Sequence, residues 1–141
     1  GSMGPLYGKV FKTMGKTFEG HTEIDALLFR EALEKVKEGM GVLTPARPGD
    51  KTLVDALYPA IDAYIEAVDS GGGFGGALLV MKASAEKGRD DTSDMVARLG
   101  RSSRLGERSR GVVDAGAASC ALLLGVMADS ITEIVSQNKS H

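Results

Sequence analysis

Tryptophan is absent from the 141 residues, and four phenylalanines and three tyrosines are all the aromatic bulk available. The core must therefore be built from Leu, Val, Ile, Ala and Met, a palette dominated by good helix formers. Cysteine is nearly missing too: Cys120 stands alone, which excludes an intrachain disulfide and fits a reducing compartment. Charge of one sign is not in excess, the formal net charge being −2. No global basic field exists to draw in nucleic acid or an anionic membrane, so neither is an expected partner. No uninterrupted apolar run reaches the roughly 18 residues that cross a bilayer, and the start lacks a signal-peptide pattern. Cytoplasm is the expected setting. The two histidines, His21 and His141, sit in no metal-ligand spacing, so the residues themselves specify no metal site. Period-two alternation, low complexity and internal repeats are also lacking, which leaves helices.

A chain of this length, 43% hydrophobic and 26% charged, suffices for one compact domain. Gly1-Ser2-Met3 reads as a tag scar joined to a start methionine, residues 4–137 as the folded part, and 138–141 as a flexible tail. A first helix is expected from Pro5, with Leu6, Val10, Phe11 and Met14, ending near Gly15 to Gly20. A second follows Thr22 as N-cap, carries Ile24, Leu27, Leu28, Ala32, Leu33 and Val36 on one stripe, and closes at Gly39 and Gly41. A third spans about Lys51 to Val68, with a kink or break at Pro59. The stretch from Ser70 to Gly73 is a connection, and a fourth helix runs from Phe74 to about Ala97, open to interruption near Gly88 to Asp90. The segment from Leu99 to Val113 is a long loop, and the last helix opens at Asp114 and runs to about Gln137. The fold class predicted is all-α, an antiparallel helical bundle or barrel of about five helices.

Three constellations could carry chemistry. Pro48-Gly49-Asp50-Lys51-Thr52 precedes a helix, whose unpaired N–H groups could edge a nucleotide; equally, Asp50 could be a plain N-cap after a Pro-Gly turn. Its spacing is not that of a P-loop. Five arginines lie between Arg98 and Arg110, interleaved with Ser and Gly. Guanidinium forks match phosphate geometry, so this loop is an anion-site candidate, the alternative being a solvated loop whose arginines pair with Glu107, Asp114 or acidic helix faces. At Asp114-Ala115-Gly116-Ala117-Ala118-Ser119 the aspartate is a fair N-cap. The small residues would let a ring or ribose approach the backbone, or would simply allow tight helix packing. Gly71 to Gly76 reads as a linker, Cys120 as an inert core thiol and the six methionines as core filler.

Gly4-Pro5-Leu6-Tyr7-Gly8, Pro48-Gly49-Asp50-Lys51-Thr52 with Asp55-Ala56-Leu57 and Pro59, Met95-Val96-Ala97-Arg98, Gly100-Arg101 with Ser103, Leu105-Gly106-Glu107-Arg108-Ser109, and Asp114 with Gly116-Ala117-Ala118-Ser119 recur here in order. Together they resemble the nucleotide-binding subunit or C-terminal domain of dihydroxyacetone kinases, the DhaL type. The resemblance implies an antiparallel helical barrel with ADP or ATP at one end, phosphoryl transfer to a short ketose to give dihydroxyacetone phosphate, and a separate substrate-binding subunit or domain. Some members are recharged by a phosphocarrier protein. The resemblance also implies nucleotide contacts at Gly4, Thr52, Leu53, Arg101, Asp114 and Gly116, supported by Asp50, Ser103 and Arg108. Family magnesium ions are held by aspartates lying upstream of the Gly-Pro-Leu-Tyr segment. Residues 4–137 thus correspond to the C-terminal part of the domain, with no catalytic residue or metal ligand of its own and no magnesium expected here. Val112-Val113-Asp114-Ala115 also departs from the usual pattern of a histidine before the aspartate and a proline after it. This portion alone is expected to be inactive and, with apolar faces uncovered, to form a homo-oligomer. The competing expectation is a non-catalytic module that senses a nucleotide or contacts a partner protein.

Overall fold

A computed structural model describes residues 3–99 and 101–139, with side chains for 4–99 and 103–135. Five α-helices carry the described chain: α1 (Met3–Phe18), α2 (Ala26–Leu43), α3 (Val54–Asp69), α4 (Phe74–Asp91) and α5 (Ala115–Lys139). Two 3-10 segments, Thr92–Asp94 and Arg101–Ser109, lie between α4 and α5, and no strand occurs among the described residues. The all-α expectation holds. Helix α5 runs to Lys139, through residue 138, where the tail was expected to begin.

Each helix buries one stripe. On α2 that stripe is Leu28, Phe29, Ala32, Leu33, Val36 and Met40, at three- and four-residue spacings. Ile24 and Leu27, assigned to it by periodicity, are exposed instead. The helix starts later than Thr22 suggested: Asp25 is the N-cap, its carboxylate accepting from the Leu28 N–H at 2.8 Å. Gly39 and Gly41 do not stop it, and the helix continues to Leu43.

Alternating helix directions give the bundle two unlike ends. At one, Phe29 sits 5.1 Å from Tyr64 edge-on, 5.8 Å from Phe74 and 6.4 Å from Phe18, measured between ring centres. The buried Tyr64 hydroxyl donates to Ala26 O at 2.7 Å, which satisfies its polar tip. Arg30 clamps Asp69 through Nε at 2.8 Å and a terminal nitrogen at 2.9 Å, joining the start of α2 to the end of α3.

Pro59 does not break α3, which is continuous from Val54 to Asp69. Proline lacks the N–H that would bond the carbonyl four residues earlier, here that of Asp55. Gly88 of α4 lies directly on that carbonyl: a Cβ there would stand 2.0 Å from Asp55 O and 3.0 Å from Ala56 Cα. The missing side chain thus lets α4 ride on the backbone of α3. This close approach explains why α4 keeps a glycine within its last turns despite the helix-propensity cost.

Helix α5 buries Ala117, Cys120, Ala121, Leu124 and Ala128. Over 18 residues within Ala115–Val135 the mean hydropathy is nonetheless 1.6, with 28% of that window buried, so by length and composition alone the stretch could cross a membrane. The sequence reading missed this because Asp129 and Glu133 interrupt the run. Leu122 and Val126 are 70% and 56% exposed, and Lys82 of α4 holds Asp129 at 2.9 Å.

Gly88→Ala is expected to destabilise the fold by about 2 kcal/mol or more, because rigid backbone must shift. A Cβ at Gly76, also in α4, meets nothing within 4 Å. Gly76→Ala is therefore expected to be neutral or to stabilise by about 0.5–1 kcal/mol. Equilibrium denaturation of the two variants checks the contrast.

Candidate functional site

The other end of the bundle gathers the starts of α1, α3 and α5 and the ends of α2 and α4. Its foundation is the turn from Arg47 to Thr52. Gly49 takes a positive φ of 101°, and Lys51 does so as well, at 65°, a conformation that costs a side-chain-bearing residue free energy. Asp50 does not cap α3 as one reading expected; its carboxylate accepts from Arg47 N at 2.9 Å, within the turn. The capping acceptor is Asp55, inside the first turn of α3 and buried. Its two oxygens take Gly49 N at 2.6 Å and Thr52 N at 2.9 Å. Thr52 Oγ1 accepts from Val54 N at 3.2 Å, while Asp55 N and Ala56 N turn back to Thr52 O and Leu53 O. The N–H groups at the start of α3 are thus engaged by the protein itself, which removes the unpaired donors that had suggested this edge for an anion.

Lys51 is 4% exposed and reaches across to the arginine segment. Its ammonium donates to Met95 O at 3.3 Å, to Val112 O at 2.6 Å and to Ser109 O. Three donors meet three carbonyls. Arg98 N donates to Asp50 O at 3.2 Å, Gly111 N to Ser93 O at 2.7 Å, and Asp114 N to Thr92 Oγ1 at 2.8 Å. Ser109, also buried, accepts from Ala97 N at 2.9 Å and donates to Gly106 O at 2.6 Å.

The arginine stretch is therefore no open loop. It forms 3-10 turns over Arg101–Ser109, interrupted at Gly106 with φ 55° and ψ −129°, and returns through Gly111 at φ 101°. The fourth helix stops at Asp91 rather than Ala97 because Thr92 Oγ1 donates back to Arg89 O at 2.5 Å and the chain turns off through Thr92–Asp94. Arg110 is spoken for by Glu107 at 2.9 Å and Asp94 O at 2.8 Å, as the solvated-loop alternative foresaw. Arg104 and Arg108 are exposed, and no carboxylate among the described residues lies within ion-pair distance of either.

Asp114 caps α5, its carboxylate accepting from Ala117 N at 2.9 Å. Gly116 is buried, and its carbonyl faces the Tyr7 hydroxyl at 3.5 Å, which sets the first turns of α1 beside α5. Burial pushes the Tyr7 phenol up to about 12. Gly4 lies exposed one turn before Tyr7, with open space where a side chain would be. Of the residues nominated from the sequence, Asp50, Thr52, Asp114 and Gly116 are thus brought to one end together with the stems of the arginine segment. Leu53 is in the core, lining a small apolar cavity with Tyr7, Leu57 and Cys120. Ser103 is half-buried. The side chain of Arg101 lies outside the described residues. An open groove of about 480 Å³ between α1 and α2, lined by Lys9, Thr13, Lys16 and Lys35, includes none of the nominated positions.

The DAK2 domain matches residues 1–129. The chain belongs to the DAK2 domain family. It is 36% identical over 129 residues to the PEP-dependent dihydroxyacetone kinase 1, ADP-binding subunit DhaL, of Listeria innocua, covering 90% of this chain and 58% of that one. To the corresponding ADP-binding subunit of Escherichia coli it is 31% identical, over 91% of this chain and 61% of the relative. It is 35% identical to the L-erythrulose 1-kinase of Mycolicibacterium smegmatis, over 94% of this chain and 23% of that enzyme. The chain spans about a quarter of the length of the erythrulose kinases and about three-fifths of these ADP-binding subunits.

Lys51, Asp55, Thr92 and Ser109 organise this end of the DAK2 domain; the sequence motifs contained Lys51, Asp55 and Ser109 but gave them no role, and Thr92 fell outside them. Their partners lie up to 61 residues away, beyond the reach of periodicity or local spacing. Magnesium, which the resemblance implies for intact relatives, is commonly held by one or two carboxylates together with waters and substrate phosphates. Among the described residues, no group of three or more His, Cys, Asp or Glu converges on one point.

Cys120 is 2% exposed, and burial pushes its thiol up to about 12. Because a raised thiol pKa favours the neutral form, the native DAK2 domain should not react with a thiol reagent such as dithionitrobenzoate at pH 8. Unfolding in denaturant should release one reactive thiol per chain; fast reaction of the native protein would contradict the burial.

Proposed function

We propose that this chain is the nucleotide-binding part of a dihydroxyacetone-kinase-type phosphotransferase, holding ADP or ATP at the end where the arginine segment meets the start of α5. The observation that carries the reading is the convergence of the arginine segment, the Asp50–Thr52 turn and the Asp114 cap, in a chain whose relatives include ADP-binding subunits. Exposed guanidinium groups supply positive charge against phosphate oxygens. Gly4, Thr52, Leu53, Arg101, Asp114 and Gly116 are the proposed nucleotide contacts, with Asp50, Ser103 and Arg108 in support. The acceptor would be a short ketose such as dihydroxyacetone or erythrulose, held by a separate substrate-binding subunit or domain. Magnesium and the transfer step would draw on family carboxylates that the resemblance places upstream of Gly4, so binding without turnover is what we propose for this portion. The setting is cytoplasmic, with a phosphocarrier protein as a possible donor to the whole assembly.

Calorimetric titration with ADP, with and without magnesium, tests this. Weak binding that does not require magnesium is expected, and Arg101→Ala should weaken it about ten-fold, the effect of losing one charge-assisted hydrogen bond. Silence with millimolar ADP would sink the nucleotide reading and leave the non-catalytic interaction module.

The exposed apolar side chains favour association. Leu122 and Val126 on α5 lie uncovered, and Phe11 on α1 is 50% exposed. Light scattering is expected to show a dimer or larger homo-oligomer, which Leu122→Lys with Val126→Lys should convert to monomer; a monodisperse wild-type monomer would refute self-association.

A further inference from the structure

We propose that Lys51 is a positioning residue: its ammonium latches the arginine segment shut and so holds it as a preformed lid over the nucleotide end. The lid role rests on the nucleotide reading above; the latch rests on geometry alone. Met95 lies on the stem entering the segment, and Ser109 and Val112 lie on the stem leaving it. Carbonyls from both stems converge on one buried nitrogen, at 3.3 Å for Met95 O and 2.6 Å for Val112 O, with Ser109 O between the two in the chain. Three carbonyl dipoles aimed at one point repel each other unless a multiple donor sits there, and a lysine ammonium offers three N–H groups and no acceptor. No carboxylate shares the site among the bonds described for Lys51, so the carbonyls are the cation's only compensation there. That makes the arrangement mutual: the stems meet because the ammonium is present, and the ammonium is tolerated in the interior because the stems meet.

The remaining ties run through the same place. Ala97 N reaches Ser109 Oγ, Arg98 N reaches Asp50 O, and Gly111 N reaches Ser93 O. Without the ammonium, the three carbonyls would splay toward water and these bonds would loosen with them. Arg104 and Arg108 would then sample many positions, and a nucleotide would have to select the closed one. Strained φ at Lys51 supports the same reading, since a left-handed lysine persists only where its surroundings fix it.

The experiment is hydrogen exchange, with ADP affinity, on wild type, Lys51→Met and Lys51→Arg. Lys51→Met keeps the length and removes the donors. It is expected to speed exchange at the amides of Ala97, Arg98 and Gly111 at least about ten-fold, to leave the middles of α2 and α3 unchanged, and to weaken ADP binding about ten-fold. Lys51→Arg, which keeps a cation with several donors, should recover much of the protection and of the affinity. Unchanged exchange at the three amides in Lys51→Met overturns the latch. So does uniform acceleration through α2 and α3 in both variants, which would make Lys51 a determinant of the whole fold. Loosened amides with unaltered ADP affinity would overturn the positioning role. Failure of the wild type to bind ADP would sink the nucleotide reading, and the exchange pattern would still decide the latch.

Discussion

The polar end of this bundle depends on one buried cation. Lys51 enters from a turn in a left-handed backbone conformation and ends among three main-chain carbonyls. Two costs meet there, the unfavourable φ and the desolvation of an ammonium. Either alone would argue against the arrangement, and both are offset by the same contacts. The turn is fixed from below by the buried Asp55 carboxylate, which grips Gly49 N and Thr52 N. An acid and a base four residues apart thus serve opposite partners: the aspartate collects local amides, the lysine collects distant carbonyls. Each satisfies backbone groups that no helix or sheet ladder would.

The opposite end is built on different physics. Phe18, Phe29, Tyr64 and Phe74 fill it with aromatic surface, and four of the chain's seven aromatic residues are spent there. Between the two ends, α3 and α4 approach closely through Gly88 over the Asp55 carbonyl that Pro59 leaves without its usual donor. Asp55 therefore belongs to both systems, its side chain to the turn and its main chain to the helix contact. A shift of α4 along α3 would be felt at the turn, and through Lys51 at the arginine segment.

Much of this was legible in the residues. Apolar spacing placed all five helices, and Asp114 showed itself as a cap because it stands where a loop meets an alanine-rich start. Local rules failed where a distant group competes. Thr22 looked like a cap, but Asp25 reaches the Leu28 amide. Asp50 looked like the cap of α3, but it serves its own turn while Asp55, inside the helix, takes the amides that precede it. Pro59 was read as a kink or a break, and α3 runs on unbroken through it, while the pattern carried no sign of Gly88 across from it. Lys51 was passed over because a lysine in a polar turn is ordinarily a solvated charge; what marks it is the partner set, assembled from residues 95 to 112.

The bonding pattern also bears on where an anion could be held. At the start of α3 the amides are consumed by Asp55, Thr52 and the turn's own carbonyls. At the start of α5 the Asp114 carboxylate takes Ala117 N, and its carbonyl takes Ala118 N. An aspartate at that position places negative charge where a phosphate would otherwise profit from the macrodipole, so backbone donors alone make a poor anion site at either helix. Positive charge for phosphates must come from side chains, and within the polar end Arg104 and Arg108 are exposed without an acidic partner among the described residues. Arginines on an unanchored loop would lose much of their attraction to the entropy of ordering. On the nucleotide reading proposed above, anchoring both stems on Lys51 would reduce that penalty before a nucleotide arrived, and a buried lysine would then govern how well the arginines attract it.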